Sequence, residues 1–223
     1  VSALGGIHVH TVPNLPNGML NPQDVEEAIR DANNVHFPLS RVICLENTHN
    51  RCGGAVLSPE QMATIKHIAE RHHLSVHLDG ARIFNAAVAL GVDVKRIAEQ
   101  ADSVQLCFSK GLAAPVGSAI CSSADFIRRA RRNRKIVGGG MRQAGVLAAA
   151  AIVALEQMVD RLADDHENAR RLAQGLAEMG PFNIDPATVQ SNIVVFGLKN
   201  PAISLQTVAQ ALAIRGIKMN PID

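Results

Sequence analysis

Two short apolar runs, each leading to a charged residue, constrain the fold of this chain more than any other feature. Residues 74–78 lead into Asp79, and residues 103–108 lead through one serine to Lys110. Apolar runs of this length, bounded by turn residues, are typical of buried strands. Because the carboxyl ends of parallel strands meet at the edge of an α/β sheet where ligands bind, we expect Asp79 and Lys110 to lie at one such edge.

The pattern around these runs predicts alternating strands and helices. Asn21 followed by proline marks one helix start, and Ser58 with Gln61 forms a capping box at another. The predicted strands cover residues 41–45, 74–78 and 103–108, and the predicted helices cover residues 59–72, 83–90 and 94–99. This alternation predicts an α/β fold with a mostly parallel sheet flanked by helices.

The carboxyl-terminal third predicts a second domain. From residue 141 to about residue 179 the helical pattern is almost unbroken, and Gly180 with Pro181 ends it. A helix of that length, about 50 Å or more at 1.5 Å per residue, predicts a crossing between domains. Beyond it the pattern predicts strands over residues 192–198 and 217–219 and a helix over residues 205–214. The predicted parts are a large domain (1–140), an interdomain helix (141–180) and a partial small α+β domain (181–223).

Composition argues against several classes of function. The net charge is +2, and the one basic run, residues 128–135, lacks interleaved aromatic residues, so a solvated helix face or subunit contact is favoured over nucleic-acid binding. Histidines and cysteines do not show zinc-ligand spacing, so we expect no metal. With no signal peptide and no apolar stretch near 18 residues, we expect a cytoplasmic protein in which Cys44 and Cys107 are buried, reduced thiols.

Asp79 and Lys110 each have an ordinary explanation when taken alone. Asp-Gly is usually a turn, and most lysines are solvated surface charges. Together at one sheet edge they indicate chemistry, because a partly desolvated lysine can act as an amine nucleophile. An aspartate at that edge can keep a pyridine nitrogen protonated, as pyridoxal phosphate (PLP) requires. The shared position of the two residues therefore favours a catalytic role for both.

Four stretches of the chain resemble threonine aldolases, which are PLP-dependent enzymes of fold type I, the aspartate aminotransferase superfamily. They are residues 45–50 (LENTHN), 77–86 (HLDGARIFNA), 109–118 (SKGLAAPVGS) and 138–143 (GGGMRQ), in the family's order and close to its spacing. The resemblance implies a fold type I large domain and retro-aldol cleavage of β-hydroxy-α-amino acids, with threonine or allo-threonine giving glycine and an aldehyde. It also implies a homo-oligomer, a dimer of dimers.

The same resemblance assigns roles to individual residues. Lys110 would bind PLP covalently, and Asp79 would pair with the pyridine nitrogen. Arg82 would lie beside the cofactor and bind the substrate carboxylate, and His36 would approach the substrate β-hydroxyl as a second catalytic residue. Further candidates, from loops that the resemblance brings near the site, are Arg142, Lys135 and His49.

The resemblance also implies that the chain is the middle of a longer protein. A phosphate-binding Gly-Thr turn and a histidine that stacks on PLP are expected upstream, and a further substrate-binding arginine beyond Asp223. Two alternatives stay open. Another fold type I enzyme, an aminotransferase or a β-eliminating lyase, would share Asp79 and Lys110, although residues 79–82 and 138–143 favour the aldolase. The chain could also be a non-catalytic remnant that only associates with partner subunits.

Overall fold

The computed structural model describes residues 2–221, and its main body is a four-stranded sheet. β1 (Val42–Glu46), β2 (Ser75–Asp79) and β3 (Ser103–Cys107) are parallel, and β4 (Ser118–Ser122) runs antiparallel to β3. The strand order β1-β2-β3-β4 follows the chain. The predicted α/β class with a mostly parallel sheet is confirmed.

Two helices, one before β1 and one between β1 and β2, begin where the sequence marks their starts. The Asn21 side chain accepts the N–H of Gln23 at the first marked start, and Ser58 and Gln61 form the predicted capping box. Such caps satisfy N–H groups that the first helical turn leaves free. The helices are α1 (Ser2–Gly5), α2 (Pro22–Ala28), α3 (Pro59–Arg71), α4 (Ile83–Leu90), α5 (Val94–Ala98), α6 (Ala124–Ile136), α7 (Gly145–Gln157), α8 (Leu162–Glu178) and α9 (Leu205–Ile214).

One apolar core lies between the sheet and α3, α4 and α5. Alternate strand residues point into it, and fully burying an aliphatic side chain stabilises the fold by about 1.5–3 kcal/mol. Its central members are Leu45, Met62, Ile65, Val76, Leu78, Ile83, Ile97 and Val104. Cys44 is exposed and Cys107 is only half-buried, so the prediction that both are buried is wrong. Strand alternation places Cys44 on the sheet face opposite the core.

The predicted interdomain helix over residues 141–180 is two helices, α7 and α8, separated by a turn at residues 158–161. Leu162, the first residue of α8, is buried in a small cluster with Leu112 and Ala154. One turn later, buried His166 hydrogen-bonds to Asn85 of α4 at 3.0 Å. These contacts dock α8 on α4 and redirect the chain, whereas the helical pattern reports only local preference.

Beyond α8 the chain forms a small antiparallel pair, β5 (Phe182–Asn183) with β6 (Gly197–Leu198), followed by α9. The helix matches its prediction. The strand predicted over residues 192–198 is wrong except for its last two residues, because Ser191 Oγ donates to the Gly54 carbonyl (2.8 Å) and Gln190 Oε1 accepts the Val56 N–H (2.7 Å). Residues 217–219 form no strand, so the strand start predicted there is wrong.

The basic run lies on α6, none of whose residues is buried. Asp125 forms ion pairs with Arg128 at 2.7 Å and Arg129 at 3.5 Å, and the remaining basic side chains face solvent. The predicted solvated helix face is therefore confirmed, while its role as a subunit contact stays a prediction. Among residues 2–221, no helix combines the length and the apolar character needed to cross a membrane.

Candidate active site

The carboxyl ends of β1 and β2 bring two acidic residues together. Glu46 ends β1 and Asp79 ends β2, and the parallel register pairs them. Their side chains therefore share one face of the sheet. The N–H of Asn47 donates to the Asp79 carbonyl at 2.9 Å, which fixes the start of the next loop to the end of β2.

Asp79 uses only part of its carboxylate within the chain. Its Oδ1 accepts the Ala81 N–H at 3.1 Å, and residues 2–221 form no other hydrogen bond to this exposed carboxylate. Gly80 is buried, its N–H donates to the Gln105 carbonyl at 2.8 Å, and an added Cβ would lie 2.9 Å from that oxygen. The strand end is therefore closely held, and the second carboxylate oxygen is free to accept a hydrogen bond from a ligand.

Lys110 lies three residues beyond β3 at the same edge of the sheet. Its side chain is exposed and makes no hydrogen bond or ion pair with the described part of the chain. The backbone around it is held, because the Ala113 N–H donates to the Lys110 carbonyl at 2.9 Å. Gly111 packs so closely on Leu162 that an added Cβ would lie 2.8 Å from the leucine Cδ2. A fixed loop thus presents a free amine.

Arg82 immediately precedes α4, three residues after Asp79, and is half-buried. Its Nη1 donates to Asn50 Oδ1 at 3.1 Å. No carboxylate among residues 2–221 forms an ion pair with this guanidinium. Arg82 therefore keeps an uncompensated positive charge and free N–H groups, which suit a forked contact to a carboxylate.

His49 is buried in the loop after β1, and both of its ring nitrogens face protein groups. Nδ1 accepts the Cys52 N–H at 3.2 Å, so the ring proton belongs on Nε2, which faces Glu46 Oε2 at 3.8 Å. The His49 backbone N–H donates to the Ala55 carbonyl at 2.8 Å. The ring and backbone thus hold this loop in shape, and we favour a structural role for His49.

The fold does not bring His36 to this edge. It is exposed in the loop between α2 and β1, where its N–H donates to Asn34 Oδ1 at 3.0 Å. Residues 31–33 of that loop line a groove with His72 and Leu74, which precede β2. The groove lies at the amino ends of the strands, about 13 Å from their carboxyl ends at ~3.3 Å per residue. A role for His36 in substrate binding stays a prediction.

Arg142 and Lys135 are exposed on either side of the triple-glycine loop. An added Cβ at Gly140 would lie 2.6 Å from Lys135 Cδ, and the Gly139 N–H donates to the Arg134 carbonyl at 2.8 Å, so the loop folds back on the end of α6. No hydrogen bond of the described chain joins Arg142 or Lys135 to the edge that carries Asp79 and Lys110. Their roles at the site stay predictions.

Glu46 and Asn50 have no role predicted from the sequence. Both belong to the stretch that resembles the family, and both contribute to the network at this edge: Glu46 Oε1 accepts the Asn50 N–H at 3.0 Å. One signal was available, since the predicted first strand, like the second, is followed directly by an acidic residue. The contact between Asn50 and Arg82, 32 residues apart, had no local signal.

Comparison with known proteins identifies relatives over nearly the whole chain. Residues 1–198 match the family described as Beta-eliminating lyase. The Arabidopsis thaliana protein named Probable low-specificity L-threonine aldolase 2 is 46% identical over 99% of this chain, which covers 63% of that protein. The Low specificity L-threonine aldolase of Escherichia coli (strain K12) is 43% identical over 80% of the chain, covering 53% of that protein. The chain thus spans between half and two thirds of the length of these relatives.

A solved structure shares the fold. The threonine aldolase of Leishmania major matches 78% of this chain with a TM-score of 0.67, at 22% sequence identity and over 51% of its own length. At that identity the likeness shows the fold alone, and it confirms the predicted fold type I architecture. The named relatives confirm the resemblance on residues 45–143. Because the family match covers residues 1–198 of the 223 residues, the chain belongs to the beta-eliminating lyase family.

Proposed function

We propose that the protein containing this chain is a PLP-dependent lyase that cleaves β-hydroxy-α-amino acids. Threonine or allo-threonine would give glycine and acetaldehyde. The observation that carries the proposal is the arrangement of Asp79 and Lys110 at one sheet edge, with the uncompensated Arg82 beside them. The names of the relatives support this substrate class.

The residues at this edge fit PLP. The free amine of Lys110 suits a covalent bond to the cofactor's aldehyde carbon, and the free oxygen of Asp79 suits its pyridine nitrogen. When bound, PLP supplies an electron sink for the pair left when the Cα–Cβ bond breaks. The close packing at Gly80 and Gly111 supports the site, since it fixes the backbone on which both side chains stand.

The side chains of this chain would then perform three tasks. Asp79, an acceptor when ionised, holds a proton at the pyridine nitrogen. Glu46 places a second negative charge beside it, which favours the cationic form of that nitrogen. Arg82 fixes the substrate carboxylate by a forked, charge-assisted hydrogen bond and so orients the bond to be broken.

β-Elimination is the second candidate, favoured by the description of the matched family. Product analysis separates the two, with the PLP-loaded protein and threonine as substrate. Glycine and acetaldehyde in equal amounts support the aldolase, whereas 2-oxobutanoate and ammonia support elimination. A preparation that takes up no PLP would instead support the alternative that the chain is a non-catalytic remnant.

We also propose that the protein is a homo-oligomer, a dimer of dimers as the resemblance implies. Support comes from α7, an apolar helix whose Val146, Ile152 and Val153 are 72%, 53% and 49% exposed. Exposed apolar side chains grouped on one helix are typical of an interaction site. Sedimentation velocity on the whole protein tests the proposal, with a tetramer expected and a monomer at micromolar concentration against it.

A further inference from the structure

A neutral residue of the loop after β1 holds the guanidinium of Arg82. Asn50 Oδ1 accepts from Arg82 Nη1 at 3.1 Å, and the Asn50 N–H donates to Glu46 Oε1 at 3.0 Å. A continuous path of hydrogen bonds therefore runs from the end of β1, through Asn50, to the start of α4. Among the described residues, the hydrogen-bond acceptor for the Arg82 guanidinium thus lies 32 positions away in sequence.

The loop that carries Asn50 is held on both sides of that residue. Asn47 Nδ2 donates to the Leu57 carbonyl at 2.8 Å, and Asn47 Oδ1 accepts the Leu57 N–H at 3.2 Å. The His49 ring accepts the Cys52 N–H, and Ser191 Oγ donates to the Gly54 carbonyl. Because the loop is so constrained, Asn50 can fix the direction of a flexible arginine side chain.

The chemistry of Asn50 suits an arginine that must bind an anion. A carboxylate at this position would also accept from Arg82, but it would neutralise the guanidinium and compete with an anionic ligand. An amide oxygen orients the guanidinium and leaves its charge in place. Glu46 is the acid on this path, and its Oε1 accepts a hydrogen bond from the Asn50 backbone N–H rather than from Arg82.

We infer that Asn50 is a positioning residue that fixes Arg82 for the carboxylate of the amino-acid ligand, and that its neutrality is required for this task. The inference rests on the proposed function, from which it takes PLP, the α-amino acid ligand and the contact of the ligand carboxylate with Arg82. It extends the site from Arg82 to the loop between β1 and α3.

The test uses the PLP-loaded protein and two probes, glycine and glycinamide, which differ in the carboxylate. Asn50→Ala should weaken glycine binding about tenfold and leave glycinamide binding within about twofold, because only glycine uses Arg82. Asn50→Asp should weaken glycine binding at least as much, although it keeps an acceptor for the guanidinium. Asn33→Ala, in the exposed loop at the opposite edge, is the matched control. Binding is measured by calorimetric titration, with PLP content and melting temperature recorded for each variant.

A purely structural asparagine would give a different pattern. Asn50→Asp would then bind glycine as the wild type does, and Asn50→Ala would weaken both probes equally; either result overturns the inference. In an Arg82→Ala background, Asn50→Ala should have no further effect on glycine. Equal binding of glycine and glycinamide by the wild-type protein would also overturn the inference, even if that protein cleaves threonine. If the wild-type protein binds glycine more tightly than glycinamide but does not cleave threonine, the result contradicts only the aldolase proposal.

Discussion

Glu46 and Asp79 stand in register at the ends of two neighbouring parallel strands, and their carboxylates have different partners. Glu46 accepts from the Asn50 backbone and so builds the loop, whereas Asp79 keeps one oxygen free of the described chain. The negative charge of Asp79 also reaches Cys44. Although Cys44 keeps an exposed surface, nearby protein atoms partly desolvate its thiol, and this desolvation, followed by the Asp79 carboxylate, raises the pKa of Cys44 above its ordinary value.

Lys110 should be the residue that binds PLP covalently. Borohydride treatment of the PLP-loaded protein is expected to add the pyridoxyl mass to the peptide that contains Lys110, because its amine is exposed and unpaired within residues 2–221. Lys110→Ala should abolish the label, and Lys95→Ala, a lysine of α5, should leave it unchanged. Mass spectrometry that finds the label on another lysine would contradict the assignment.

Asp79→Asn should leave PLP bound but lower the turnover of threonine at least about 100-fold, roughly 2.7 kcal/mol in activation free energy. The amide preserves the shape of the side chain and removes the charge that keeps the pyridine nitrogen protonated. Steady-state kinetics and the absorbance of bound PLP measure the two effects separately. Asp125→Asn, on exposed α6, is the control. Near-normal turnover would reduce Asp79 to a turn residue.

His166 should make stability depend on pH. Burial, and then the Arg170 charge, lower the pKa of His166 below 6.5, with Asp165 opposing them. The unfolded chain then takes up the proton first, so stability is complete above about pH 6.5 and falls as pH drops toward the folded pKa, by at most about 1.4 kcal/mol per pH unit. Urea unfolding at pH 7.5 and 5.5 measures this slope. His166→Gln, which keeps a hydrogen-bond acceptor for Asn85, should remove this dependence of stability on pH. If the variant keeps the wild-type slope, another group causes the pH dependence.

Gly111→Ala should destabilise the fold by about 1–3 kcal/mol and weaken PLP binding. The new methyl group would lie 2.8 Å from Leu162 Cδ2 and 3.1 Å from Asn85 Oδ1, so either the loop that carries Lys110 or these two buried side chains must shift. Gly175→Ala is the matched control. A Cβ at that helical glycine would have nothing within 4 Å, so the substitution should raise the free energy of unfolding by about 0.5–1 kcal/mol. Denaturant unfolding and PLP titration measure the two effects. A Gly111→Ala variant with the stability and PLP affinity of the wild type would contradict the close packing.

Features set by neighbouring residues could be predicted from the sequence. The capping box at Ser58, the bounds of α4 and α9, and the shared edge of Asp79 and Lys110 all follow from local pattern and alternation. The break between α7 and α8 could not, because it depends on the contact of Leu162 with Leu112. The partner of Arg82 and the edge on which His36 lies depend on loop paths, which hydrogen bonds between distant residues determine.

The anchors on the loop after β1 also bear on how the site is assembled during synthesis. Gln190 and Ser191 reach Val56 and Gly54 across 134 and 137 positions. All four strands of the main sheet lie within residues 42–122, whereas these two anchors come from the segment after α8. The hydrogen bonds that hold this loop at Gly54 and Val56 can therefore form only after the segment beyond α8 has been synthesised. During translation, the loop that carries Asn50 thus lacks two of its contacts at a stage when every strand of the sheet has already been made.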